Sequence, residues 1–199
     1  SFGHNPANFW MHCEFLLVDG GKMSKSLGNI YKLSELQEKG IEPLAYKLFC
    51  FSSHYRNKLN FTFEGAKASQ VSLNRLRQGY QNHKDGTKDI DKATIQNYEE
   101  RFHSAINDDL NMPSAMSVVW EVIRSDVKSP KLAELLLKFD TVLGLKINET
   151  PKIDLPEEIQ KLVEQRNVAR QNKNWAESDR IRDELQAKGY TVKDTKEGT

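Results

Sequence analysis

Three amphipathic segments in the middle of the chain constrain its fold most strongly. Apolar residues recur at intervals of three and four over residues 95–106, 115–123 and 132–143. That spacing places the apolar side chains on one face of each predicted helix. Because such faces are stable in water only when buried, we expect the helices to pack against one another. The segments therefore predict a helical bundle.

The residues before these segments are also predicted to be mostly helical. "CEFLLVD" at 13–19 is typical of a buried strand running into a turn at Gly20 and Gly21. Ser34 is the predicted N-cap of a first helix and Pro43 lies in the first turn of a second. A helix is also predicted over 63–80, with Arg75 and Arg77 off its apolar stripe.

Polar or proline-containing stretches divide the chain at residues 81–93 and 146–156, which are the predicted linkers. Beyond the second linker the pattern predicts a helix from Pro156 to about Gln171. A second helix follows, with Asn174 and Glu177 as a capping pair and Gly189 at its end. The alternating "YTVKD" at 190–194 then predicts a short strand.

Composition excludes several classes of protein. The chain has 199 residues with 38% apolar residues, 29% charged residues and a net charge of +1, so it is not a globally basic nucleic-acid binder. It contains no secretory signal and no run of about 18 apolar residues, which predicts no membrane partner and a cytoplasmic location. Cys13 and Cys50 lack metal-ligand spacing and are expected to be reduced thiols packed as small hydrophobes, with no metal site in this chain.

The stretch "GGKMSKSLGN" at 20–29 combines two lysines and serines with flanking glycines. Glycine lets such a loop move and lets its backbone approach a ligand closely. The ammonium groups of Lys22 and Lys25 and the hydroxyls of Ser24 and Ser26 suit a polyphosphate, and they would tighten as charge builds in the transition state. Composition alone leaves a second interpretation open, namely a solvated lysine loop.

"KMSKS" at Lys22–Ser26 is identical to the second signature of class I aminoacyl-tRNA synthetases. Further segments resemble cysteinyl-tRNA synthetase in the same order and over essentially the whole chain. They are "NFWMHCEFLLVDGGKMSKSLGN", "HYRNKLNFT", "NDDLNMPSAM" and "NWAESDRIRDELQAKGYTVKDTKEGT".

The resemblance implies a mainly α chain with four parts. Residues 1–29 would be the end of a Rossmann-type catalytic domain with the KMSKS loop, and 30–63 a stem-contact region. Residues 64–147 would be a DALR-type helical bundle on the anticodon arm, and 148–199 a small α/β-hairpin domain for anticodon recognition. The family's His-Ile-Gly-His signature and zinc ligands are expected upstream of Ser1. We therefore expect the C-terminal half of such an enzyme, inert alone, with a few residues missing after "EGT".

By resemblance, the loop stabilises ATP, bound with magnesium, as cysteine is converted to cysteinyl-adenylate before transfer to tRNA(Cys). Lys25 would contribute most, then Lys22, Ser24 and Ser26, while Met23 anchors the loop by packing. Zinc belongs to the complete enzyme in this interpretation, and a monomer is favoured.

For the tRNA, the resemblance implies that Arg170, Asp179 and Asp194 face the anticodon, because arginines and carboxylates can read the edges of splayed-out bases. The alternative is that Asp179 pairs with Arg182 on the helix surface and Asp194 shapes a turn. In "NDDLNMP", the residues Asp108, Asp109 and Asn111 are expected to form a turn and a cap rather than to contact RNA.

Two other functions stay open from the sequence. One is a tRNA-binding module that performs no chemistry. The other is a ligase that joins cysteine to a small amine, against which the terminal "WAESDRIRDEL" domain argues.

Overall fold

The computed structural model describes residues 7–149, 157–188 and 192. The chain divides into two compact units, residues 1–150 and 151–199. The described part is mostly helical, as the sequence predicts, with a small sheet near its start. The finer division of the first unit into catalytic end, stem-contact region and bundle stays a prediction.

A small sheet supports the KMSKS loop. Strand β1 (Leu16–Val18) lies in the middle, antiparallel to β2 (Gly21–Lys22) and parallel to β3 (Leu59–Phe61). The strand predicted over 13–19 is thus shorter than expected. The turn is also one residue earlier than predicted. Asp19 and Gly20 have φ of 48° and 78°, so the turn is centred on these two residues rather than on Gly20 and Gly21.

Two short helices make the crossover between the parallel strands, as a parallel pair requires. They are α1 (Leu33–Glu38) and α2 (Pro43–Cys50), which begins at a proline as predicted. The N-cap of α1 is Lys32, so the prediction of Ser34 as its cap is wrong. The core here is aromatic: Phe49 and Phe61 meet edge to face with ring centroids 5.9 Å apart.

Four helices form the predicted bundle. They are α3 (Phe63–Lys84), α4 (Lys92–Asn107), α5 (Met112–Arg124) and α6 (Pro130–Leu143). Phe102 and Phe139 stack at its centre with ring centroids 4.1 Å apart. Gly79 allows α3 to approach α5, because a Cβ there would lie 2.6 Å from Ile123 Cγ2. Val142, which the periodicity assigned to the buried stripe, is 49% exposed.

Capping residues set the ends of the bundle helices. Helix α3 is one turn longer than predicted and Asp91 caps α4, so the first linker narrows from 81–93 to residues 85–91. Gly144 ends α6 with a φ of 57°, a left-handed conformation that glycine adopts at low cost.

The terminal unit contains two described helices, α7 (Glu157–Gln171) and α8 (Trp175–Ala187). The Asn174 side chain caps α8 by accepting from the Glu177 amide at 3.3 Å, as the sequence predicts. The pair packs around Ile159, Leu162, Ile181 and Leu185. Gly189, Asp194 and most of the predicted strand lie outside the described residues.

Within residues 7–149 and 157–188, no helix is both long enough and apolar enough to cross a membrane.

Candidate functional site

The KMSKS loop grows out of a tight hairpin. The pairs Leu17–Lys22 and Val18–Gly21 face each other across β1 and β2, which leaves two residues in the turn. Both have positive φ, the conformation that aspartate–glycine turns favour between antiparallel strands. The Gly20 amide donates to Asn60 Oδ1 at 2.7 Å and the Asp19 amide to the Phe61 carbonyl at 3.0 Å. The base of the loop is therefore fixed to β3.

Beyond the hairpin, the loop folds into one short 3-10 turn, Lys25–Leu27, that ends at a left-handed Gly28. The side-chain amide of Asn29 accepts from the Ser24 amide at 2.8 Å and donates to the Lys22 carbonyl at 3.0 Å. The hydroxyls of Ser24 and Ser26 lie 2.7 Å apart and share a hydrogen bond. The loop thus has a defined conformation although it is on the surface.

The cations of the loop are directed away from the core. Lys22 and Lys25 are exposed, and no ion pair with either lysine occurs among the described residues. Met23 is partly buried and packs against the main core, which confirms the expected packing of this side chain. It lines a cavity of about 150 Å³ together with Tyr31, Leu36 and Phe61. An anchored backbone with two outward ammonium groups offers a binding surface for a polyanion.

The "NDDLNMP" stretch forms the α4–α5 turn and contacts the segment before β3. Asp109 and Leu110 have positive φ, and Asn111 caps α5 by accepting from the Ser114 amide. The expected structural role is therefore confirmed for Asn111 and Asp109. The sequence did not reveal the partners of Asp109, whose carboxylate accepts from Arg56 Nε and from the Tyr55 hydroxyl, both at 2.6 Å.

This contact changes the acidity of Asp109. Two hydrogen bonds lower the pKa of the Asp109 carboxyl to about 2, and the bond from Arg56 has a larger effect than the bond from Tyr55. His54 adds a hydrogen bond between its Nε2 and the Asp109 carbonyl oxygen at 2.9 Å. The segment that leads into β3 is therefore attached to the bundle through one aspartate.

A larger cavity of about 550 Å³ lies within the first unit, and both cysteines line it. Cys13 is exposed, so the prediction that it packs as a small hydrophobe is wrong, while Cys50 is half-buried and both thiols are free. Burial raises the pKa of the Cys50 thiol, and burial beside Cys50 raises the pKa of Tyr46 to about 12. Both groups stay protonated near neutral pH, which does not suit a nucleophile or a metal ligand.

The described residues offer no alternative metal site. Within 7–149, 157–188 and 192, no three His, Cys, Asp or Glu side chains are grouped so that they could hold an ion.

Two of the three residues predicted to face the anticodon lie in the described part of the terminal unit, on different helices. Arg170 is half-buried in the last turn of α7, and its carbonyl accepts from the Lys173 amide at 2.9 Å. Asp179 is exposed on α8 and pairs with Arg182 at 3.1 Å, the surface pairing that the sequence left as an alternative. Asp194 lies outside the described residues. Arg166 on α7 is 1% exposed, so its side chain does not belong to a binding surface.

Two family models match the chain. The model described as "tRNA synthetases class I (C) catalytic domain" matches residues 1–71, which include the sheet and the KMSKS loop. The model described as "Cysteinyl-tRNA ligase anticodon binding domain" matches residues 153–199, which include α7 and α8. The first match places the loop-bearing part of the chain in the class I tRNA synthetases.

Similar proteins narrow the class. The chain is 44% identical to cysteine–tRNA ligase 1 of Burkholderia lata, over 98% of the chain and 41% of that protein. It is 38% identical to cysteine–tRNA ligase of Protochlamydia amoebophila, over 99% of the chain and 44% of that protein. For the Leptospira interrogans ligase the identity is 37%, over 95% of the chain and 44% of the relative.

The chain belongs to the cysteine–tRNA ligase family, and it spans less than half the length of these relatives.

Proposed function

We propose that this chain supplies the KMSKS loop and the anticodon-recognition unit of a cysteine–tRNA ligase. The complete enzyme would use ATP to convert cysteine to cysteinyl-adenylate and would then transfer cysteine to tRNA(Cys). One observation carries the proposal: an intact KMSKS loop and an anticodon-binding domain of the same enzyme family lie in one chain. The free thiols suit a reducing cytoplasm, where we expect the ligase to act as a monomer.

In the activation step, the loop would stabilise negative charge as the α-phosphate is attacked. Lys25 opens the 3-10 turn and is the principal cation in the proposal, and Lys22 approaches from the end of β2. Ser24 and Ser26 would exchange their mutual hydrogen bond for bonds to phosphate oxygens. Cations held in place before the reaction need little reorganisation as charge develops, which is why they lower the barrier.

The described residues of this chain contain no cluster that fits a metal ion. In the proposal, the zinc of the complete ligase is held by residues outside this chain, and magnesium arrives with ATP.

The terminal unit would read the anticodon. Arg170 at the end of α7 and Asp179 on α8 are the described candidates, and Asp194 is the third. An arginine can donate two parallel hydrogen bonds to a guanine edge, and carboxylates accept from amino and imino groups. Because Asp179 already pairs with Arg182, base recognition by this carboxylate would require that pair to open.

The activation role is tested on Lys25→Ala in the complete ligase. We expect cysteine-dependent ATP–pyrophosphate exchange to fall by about a hundredfold or more, because one preorganised charge donor is lost. The KM for cysteine should change little. Lys67→Ala, which removes an exposed lysine from α3, is the matched control and should leave exchange intact. Near-normal exchange by Lys25→Ala would favour the second candidate, in which this chain binds tRNA and its loop takes no part in the chemistry.

The anticodon role is tested on Arg170→Ala with two tRNAs, one of normal sequence and one with the first anticodon base changed. We expect a loss of about 1–3 kcal/mol of discrimination between them, with unchanged pyrophosphate exchange. If Arg170→Ala weakened charging of both tRNAs equally, Arg170 would be a contact to the tRNA phosphate backbone. If it weakened charging of neither tRNA, Arg170 would not belong to the site.

A further inference from the structure

The Asn29 side chain connects both ends of a three-residue segment of the KMSKS loop. Its Oδ1 accepts from the Ser24 amide at 2.8 Å, and its Nδ2 donates to the Lys22 carbonyl at 3.0 Å. The two bonds enclose Met23, so one side chain sets the backbone on either side of the anchor. An amide is suited to this because it carries one donor group and one acceptor group at the same end.

These two bonds determine how the loop presents its lysine side chains. With the backbone fixed at Lys22 and Ser24, Met23 packs inward against the core. Ser24 then stands as the N-cap of the 3-10 turn, and Lys25 is the first residue inside it. The Ser24 side chain forms no capping bond, so the amide of Asn29 is what holds this end of the turn.

The same bonds contribute little to the rest of the fold. None of the residues of the 3-10 turn is buried, and Lys22 and Lys25 are exposed. Removing the Asn29 amide should therefore loosen the loop without opening the core. A purely structural role would have the opposite signature, a loss of global stability.

We propose that Asn29 is a positioning residue that acts through Lys25: it holds the loop so that the Lys25 ammonium meets the reacting phosphate. This inference rests on the proposed function, since it requires the loop to act in adenylate formation. It predicts that Asn29 contributes to the rate of that step and not to the binding of cysteine.

The first test is local and uses this chain alone. In Asn29→Ala, the Ser24 amide should exchange with solvent at least about fivefold faster, because a net hydrogen bond of about 1 kcal/mol or more protects it. The unfolding midpoint should stay near that of the parent. Unchanged exchange at Ser24 would overturn the inference.

The second test is kinetic and uses the complete ligase. We expect Asn29→Ala to lower kcat for pyrophosphate exchange about tenfold, as two hydrogen bonds of ordinary strength are lost, with the KM for cysteine unchanged. Asn29→Asp has nearly the same shape but cannot donate to the Lys22 carbonyl, so it should also lose activity. Asn97→Ala, which removes an exposed asparagine from α4, is the control and should leave kcat for pyrophosphate exchange unchanged.

A double-mutant cycle distinguishes this inference from the proposed function. If Asn29 acts through Lys25, adding Asn29→Ala to Lys25→Ala should cost no more than about twofold. A full tenfold loss in that background would overturn the positioning role. A fully active Lys25→Ala would instead refute the proposed role of the loop, and an active Asn29→Ala beside an impaired Lys25→Ala would refute only the inference about Asn29.

Discussion

At the scale of single residues, Asp109 shows how one side chain joins distant parts of the chain. It follows α4, yet its carboxylate binds Tyr55 and Arg56, and His54 binds its carbonyl. Segment 54–56 leads into β3, whose Asn60 holds the turn at the base of the KMSKS loop. A series of direct contacts therefore runs from the bundle to the base of that loop.

The lowered pKa of Asp109 predicts how the stability of the protein depends on pH. The lowered pKa, about 2, means that the folded state favours the ionised carboxylate. The contribution of this contact to stability is therefore present above about pH 4, the ordinary range of an unfolded aspartate, and is lost as pH falls towards 2. We expect NMR titration of the Asp109 carboxyl to show its midpoint near 2, and Arg56→Ala to raise that midpoint. A midpoint unmoved by Arg56→Ala would contradict the assigned cause.

At the scale of elements, α2 and α3 are joined by a charged pair that the helical periodicity did not reveal. Arg77 donates through both terminal nitrogens to the Glu42 carboxylate, each at 2.8 Å, and Gln70 donates to the same carboxylate at 2.8 Å. The Arg77 side chain is only 9% exposed, so its position off the apolar stripe does not leave it in solvent. The hydrogen bond from Arg77 lowers the pKa of Glu42.

Arg77 and Arg101 form a matched comparison of this kind of contact. Arg101 also donates through two nitrogens, to Glu121 at 2.7 Å each, but its side chain is 44% exposed. We expect Arg77→Ala to lower the free energy of unfolding by roughly 2 kcal/mol, because it leaves a half-buried carboxylate without its charged donor. Arg101→Ala should cost less than about 1 kcal/mol, because solvent screens an exposed pair.

Urea unfolding of both variants, at neutral pH and again near pH 3.5, checks this comparison. The deficit of Arg77→Ala should shrink at the lower pH as the Glu42 carboxylate becomes protonated. Equal losses for the two variants at neutral pH would contradict the role assigned to burial.

At the scale of the whole molecule, the chain separates the parts of a proposed two-step reaction. The KMSKS loop belongs to the first compact unit and the anticodon candidates to the second. Neither unit shows a cluster fit for a metal ion among its described residues, and the sequence contains no His-x-Gly-His signature. In the proposed function, the residues that bind cysteine belong to the rest of the ligase.

We accordingly expect the isolated chain to form no cysteinyl-adenylate, since a loop without the rest of a substrate site cannot position the reactants. Cysteine-dependent ATP–pyrophosphate exchange on this chain measures it directly. Zinc analysis after extensive dialysis should likewise find no stoichiometric metal. Exchange activity, or about one tightly held zinc per chain, would contradict the domain assignment.

The sequence by itself predicted the helices of the bundle, the loop motif and the family, for a physical reason. Helical periodicity, caps such as Asn174 and glycine stops such as Gly144 are local signals that act through neighbours in the chain. The five residues of KMSKS are likewise contiguous, so their pattern survives without knowledge of the fold. These features depend on interactions a few positions apart.

Only the tertiary structure decided which polar side chains find partners. The contacts of Asp109 with Arg56 and of Glu42 with Arg77 span 53 and 35 positions. Nothing in the local pattern distinguishes such residues from solvated ones, because the difference is the burial and geometry that packing imposes. The same holds for Asn60 beneath the loop, 40 positions from the Gly20 amide that it binds. Sequence therefore predicted the elements and the motif, while packing selected the residues that hold the motif in place.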